Sequence, residues 1–291
     1  MRAAQEVGPG HNEGGQAATH AGPAAIEIPH LHGLGFSADG QQLIVPAHDG
    51  LRVFADGKWQ VPDLPAHDYM GYAPADNGFY SSGHPQPGSQ LVNPFGLIKS
   101  TDGGKTLTKL GFEGESDFHL MGVGYRNHAI YVLNTGQNSR LSAGLHYSLD
   151  EGKTWKQSAA QGLTADPIQI TVHPTDANVL ALASVTGLFL SSNHGDTFER
   201  IAVTPVTAAA FSPDGTRLVF GSTSLSVYDT GSKETTTMQA PKIDAQDAIG
   251  YIAVNPVRTE EIAIATFGKD LFRSTDGGQS WQPIAQDGVG P

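Results

Sequence analysis

Cysteine is missing from all 291 residues, which removes disulfides and thiolate metal ligands and leaves the redox compartment open. Basic charge is scarce: 17 Lys and Arg stand against 29 Asp and Glu, a formal net charge of −12, and no basic stripe runs along the chain. A polyanionic partner would be repelled, which argues against nucleic acid and anionic membrane surfaces. Apolar runs are short. None has the length of a transmembrane helix or of a signal-peptide core, so neither membrane insertion nor a signal peptide is expected. Helix-period apolar spacing is lacking as well. What abounds is glycine, 36 residues, with 18 prolines, and that punctuation predicts an all-β chain with many turns, long enough for one large domain.

Residues 1–29 are rich in Gly, Ala, Gln and His, including His11 and His20, and carry no apolar core pattern. They read as a disordered leader before a single domain at 30–291. A polar leader of this kind is what remains after an export signal is removed, so the expected setting is extracytoplasmic: periplasmic, cell-surface or secreted.

An internal repeat organises the rest. The run Ser100-Thr-Asp-Gly-Gly-Lys-Thr-Leu107 returns as Ser148-Leu-Asp-Glu-Gly-Lys-Thr-Trp155, as Ser191-Ser-Asn-His-Gly-Asp-Thr-Phe198 and as Ser274-Thr-Asp-Gly-Gly-Gln-Ser-Trp281. The spacings are 48, 43 and 83, so a worn copy is expected between the last two, near Tyr228–Lys233, and another at Phe54–Trp59. Ahead of the turns lie hairpin signals such as Gly35–Pro46 and Ala210–Phe220, with alternating apolar residues. Strand, turn, strand, loop, strand, Asp-rich turn, strand describes one four-stranded antiparallel propeller blade. Six such units cover about residues 30–285, giving a six-bladed β-propeller, with seven blades as the alternative count.

With the motif Ser-x-Asp-x-Gly-x-Thr-Trp repeated at this spacing, the sequence resembles the Asp-box (BNR-repeat) propellers. That group includes sialidases, the luminal domains of sortilin-type receptors and the photosystem II assembly factor, and the resemblance is nearest to bacterial chains named glycosyl hydrolases for these repeats. Such a name describes fold more than chemistry. The box itself reads as a structural device. Asp102, Asp150 and Asp276 accept backbone N–H groups within their turns, Gly104, Gly152, Gly195 and Gly278 take positive φ, and the aromatic packs beneath.

Aligning the units places His32, Asp68, His119, Ile168, Thr207 and Gly250 at one equivalent position, the start of the innermost strand. His48, His84, Thr135, Ser184, Thr223 and Phe267 share a second, the loop after the second strand. Both positions lie on one face of a propeller, around the channel mouth, so the first three blades bring His32, His48, Asp68, His84 and His119 together there. His30 projects to the same side as His32, and Met70 and Met121 follow two residues beyond Asp68 and His119. Imidazoles with a carboxylate suit zinc or copper, and thioethers nearby suit Cu(I). Polar residues hydrogen-bonded to water in a wet channel are the plainer alternative. His128, His146, His173 and His194 read as surface or turn residues. An excursion from Ser81 to Gly96 extends the same face, where inserted loops often carry recognition.

A sialidase needs an arginine cluster to grip a carboxylate. The eight arginines avoid both mouth positions and the Arg-Ile-Pro element is lacking, so that activity is disfavoured. A two-carboxylate glycosidase would draw on Asp49, Asp68 and Asp117. The expected protein is thus a monomeric metal-binding propeller, with copper or zinc as the ion and no enzyme activity assigned. A carbohydrate-active propeller and a protein-binding scaffold are the alternatives, with a glycan or a protein as partner.

Overall fold

The computed structural model describes residues 25–291, among which the regular elements are all β-strands. Residues 1–24, with His11 and His20, lie outside the described residues. No helix among the described residues is long and apolar enough to cross a membrane.

Six four-stranded antiparallel sheets follow one another along the chain, each with its strands in sequence order from the axis outward. They begin at Gly35–Phe36, Asp68–Ala75, Met121–Val123, Gln169–Val172, Ala208–Phe211 and Ile249–Val254, the innermost strands of blades 1 to 6. Second strands such as Leu43–Ala47, Leu180–Ser184 and Ile262–Thr266 are buried along their whole length. Blades packed face to face cover both sides of these strands, so continuous apolar runs replace alternation. The outermost strands, Lys156–Gln157 and Thr235–Met238 among them, are short and polar, which blunts the exposed sheet edges.

The ring closes between blades 6 and 1. Phe36, Leu43, Val45 and Trp59 share a core with Ala253, Ala263, Leu271 and Ile284, and the Trp59 Nε1–H donates to the Ile284 carbonyl at 2.7 Å. Among the described residues no seventh blade is formed. Ile26–Glu27 instead pairs with Val289–Gly290 in a two-stranded ribbon that joins the first and last described strands. The described end of the expected leader is therefore part of the fold, and Ile28 is buried in the core shared by blades 1 and 6.

The four clear Asp-boxes share one hydrogen-bond pattern, with one reversal: in the third, the Asn193 Nδ2–H donates to the Thr197 hydroxyl at 3.0 Å. In the first, Ser100 Oγ donates to Asp102 Oδ1 at 2.9 Å and accepts the Gly104 N–H at 2.9 Å; Asp102 in turn accepts the Thr106 N–H and hydroxyl at 2.9 and 2.7 Å. These donors hold the carboxyls of Asp102, Asp150 and Asp276 down at about 2. Gly104, Gly152, Gly195 and Gly278 all have φ between +81° and +97°. Each box joins the third and fourth strands of its blade, and therefore lies on the face opposite the channel mouth.

Candidate metal centre at the channel mouth

Antiparallel order puts the start of every innermost strand and the end of every second strand on the same face. His32 and Pro46 are bridged there by a backbone hydrogen bond of 2.9 Å, and Asp68 is the cross-strand partner of His84. His48 occupies the turn between the second and third strands of blade 1. Gly83, at φ +117°, permits the approach in blade 2: a Cβ there would lie 2.0 Å from the Asp68 carbonyl oxygen.

Asp68 stands between two imidazoles of blade 1. Its Oδ1 lies 3.1 Å from His32 Nε2 and its Oδ2 lies 2.8 Å from His48 Nδ1. One donor atom from each of the three residues falls within 4.8 Å of the others. The side chains of His32 and Asp68 are only 11% and 10% exposed, whereas that of His48 is 71% exposed. Although buried, His32 Nε2 and Asp68 Oδ1 have no hydrogen-bond partner among the described residues. Buried polar atoms are nearly always partnered, and these two face each other at 3.1 Å as an ion pair without hydrogen-bond alignment. Burial holds the His32 imidazole below its ordinary range; Asp68 opposes that shift, and His30, His48 and His119 add to it. A neutral ring is the form that ligates a metal.

His84 and His119 converge on a different carboxylate. Asp117 Oδ2 lies 3.0 Å from His84 Nε2 and 3.3 Å from His119 Nδ1. The inserted loop orients His84 from behind, with its Nδ1 2.6 Å from Asn93 Oδ1. The loop is itself pinned: the Phe95 N–H donates to the Gly83 carbonyl at 2.8 Å, and the Gln86 N–H donates to His67 Nδ1 at 3.0 Å. His67, which sequence reasoning passed over, is buried edge-on to Tyr69 and Phe95, and burial lowers its pKa.

The remaining sequence candidates fall as follows. The exposed His30 ring stands edge-on to His32, with centroids 4.9 Å apart. Met121 is buried in the core shared by blades 2 and 3, with Phe112 and Phe118, while Met70 is half-buried opposite Ser82. His146 departs from the surface or turn reading: it is buried in the third strand of blade 3, Gly144–Ser148, where Leu145 to Ser148 are buried on both faces of the sheet. His128, His173 and His194 do sit at turns, His128 paired with Asp76 at 2.7 Å. Asp49 is paired with Arg52 at 2.7 Å, so each of the three carboxylates considered for glycoside hydrolysis already faces a basic group. Below the mouth, His32 and His119 line a cavity of about 210 Å³ along the axis, together with Tyr72, Tyr125, Gln169 and Tyr251.

The BNR/Asp-box repeat family model matches residues 272–283, which span the whole of the sixth-blade box. A comparison with curated proteins finds no match. Among solved structures, the chain is similar to a Niastella koreensis GH74 enzyme, with 17% identity and a TM-score of 0.57 over 90% of this chain and 46% of that one. It is similar to the GH74 xyloglucanase from Xanthomonas campestris at 16% identity and a TM-score of 0.55, with the same coverage. YCF48 bound to D1 peptide matches at 16% identity and a TM-score of 0.50, over 91% of this chain and 85% of that one. The chain spans about half the length of the two GH74 structures, 46% of each. At such identities the likeness is one of fold, and it agrees with the Asp-box resemblance read from the motifs.

Proposed function

We propose that this Asp-box β-propeller binds a late divalent metal, copper or zinc, at its channel mouth through His32, His48 and Asp68. One observation carries the reading: three donor atoms of suitable chemistry lie within 4.8 Å, and two of them are buried without a hydrogen-bond partner among the described residues. A carboxylate and neutral imidazoles form a borderline donor set that suits both ions. Exposure of His48 gives the ion a route in and lets that ring close onto it. An acidic chain attracts cations, and an extracytoplasmic setting is part of the same proposal. No catalytic step belongs to it. Chelator-stripped protein titrated with Zn²⁺ and Cu²⁺ in a calorimeter should take up metal tightly, and His48→Ala, at an exposed position, should weaken that uptake at least tenfold. Uptake indifferent to His48→Ala would return these histidines to channel lining.

A protein partner over the mouth is the second reading, favoured by exposed apolar residues on the same face. Ile168, Val185, Val203 and Phe267 stand at strand starts and loops of blades 4 to 6, on the face opposite the Asp-boxes. A photo-crosslinking residue at position 267 should then give discrete adducts in cells, and one at Val257, on the opposite face, should not.

A further inference from the structure

We infer that the axial cavity below the mouth takes a small aromatic carboxylate, whose head is held by the ion on His32, His48 and Asp68. This rests on the reading of the mouth as a metal centre and names the ligand of that same site. The mouth supplies three protein donors to one ion. A four-coordinate late divalent ion held by three side chains keeps its fourth position for water or an outside ligand. His32 belongs both to the donor set and to the cavity wall, so the open position adjoins the cavity. Two neutral imidazoles and one carboxylate leave one positive charge of a divalent ion uncompensated, and an anionic oxygen is the donor that answers it.

The cavity selects the rest of the molecule. Its volume of about 210 Å³ is the share of about seven liquid waters, which admits one substituted ring and little more. Tyr72, Tyr125 and Tyr251 stand in its wall, and aromatic side chains pack favourably edge or face against such a ring. Gln169 lies on the innermost strand of blade 4, across the six-membered ring of blades from His32 of blade 1, and also lines the cavity. Its Oε1 accepts the Ala209 N–H at 2.6 Å, which fixes the amide and leaves its N–H donors for an acceptor on the ligand. A ring with a carboxylate at one end and a hydrogen-bonding oxygen at the other meets both walls.

Calorimetry on the full chain, Zn²⁺-loaded and chelator-stripped, tests this with 4-hydroxybenzoate as the probe, acetate as the head alone and phenol as the ring alone. The loaded protein should bind 4-hydroxybenzoate at least tenfold more tightly than acetate or phenol, since burying one ring is worth roughly ten- to hundredfold. The stripped protein should not bind it. Ala210, half-buried on the innermost strand of blade 5, lines the cavity, and Ala210→Phe should fill that space and remove 4-hydroxybenzoate binding while Zn²⁺ uptake stays as in wild type. Gln169→Glu keeps an acceptor for the Ala209 N–H, removes the donors, and should weaken 4-hydroxybenzoate at least fivefold, again with Zn²⁺ uptake unchanged. Tight Zn²⁺ uptake with 4-hydroxybenzoate bound no better than acetate, or bound equally by the stripped protein or by both variants, overturns the cavity ligand and leaves the metal site standing. Absence of Zn²⁺ uptake by the wild type overturns both.

Discussion

Asn193 stands where three other boxes carry aspartate, and it keeps the turn intact: its Oδ1 accepts the Thr197 N–H at 3.0 Å, as Asp150 accepts the Thr154 N–H at 2.8 Å. The amide therefore replaces the geometry, though not the charge. Asp102, Asp150 and Asp276, held at about 2 by their donors, titrate below the ordinary carboxylate value of 3.8. A depressed folded-state pKa adds stability that is complete above the unfolded value and disappears as pH falls through the folded one. The window here runs from about pH 4 down to about pH 2. The variant carrying Asp102→Asn, Asp150→Asn and Asp276→Asn should fold at neutral pH, and its melting temperature should fall less steeply than wild type across that window. Parallel melting curves from pH 7 to pH 2 would show that the charges of the boxes contribute nothing.

Between blades, one buried carboxylate does for closure what the boxes do within each turn. Glu261, in blade 6, is 4% exposed and receives Arg258 Nε at 2.7 Å, Arg273 Nε at 2.6 Å and Asn255 Nδ2 at 2.8 Å. Asn255 Nδ2 and Arg258 also donate to the Gly40 carbonyl of blade 1, so the network reaches across the junction where the ring closes. Removing one partner of a buried ionic cluster strands the rest, at about 3–5 kcal/mol. Glu261→Ala should lower unfolding stability by that order in urea, whereas Glu260→Ala, at an exposed neighbour, should change it by less than about 0.5 kcal/mol. The strands themselves were readable from the chain, because each Asp-box completes its hydrogen bonds within seven residues and each hairpin turn announces itself. The closure was not: Gly40 is brought to Asn255 and Arg258 only by the curvature of the whole ring, and no local spacing encodes that.

At the scale of the molecule, the same division explains the mouth. Equivalent positions in the repeat brought His32, His48, Asp68 and His84 to one face, since strand starts and ends recur from blade to blade. Their grouping around two carboxylates depends on the path from blade 2 to blade 3, between Gly111 and Met121, which the repeat does not specify; Asp117, two residues before His119, was the available clue. Metal should therefore act as a clamp between blades, since His48 and Asp68 come from blades 1 and 2. An ion that binds only the folded state adds about 2.7 kcal/mol at a hundredfold excess over its dissociation constant. For a domain of this size that is roughly a 5–10 °C rise in melting temperature. Saturating Zn²⁺ should produce such a rise, a chelator should reverse it, and His48→Ala should remove at least half of it. A rise that survives the substitution would locate the stabilising ion away from the mouth.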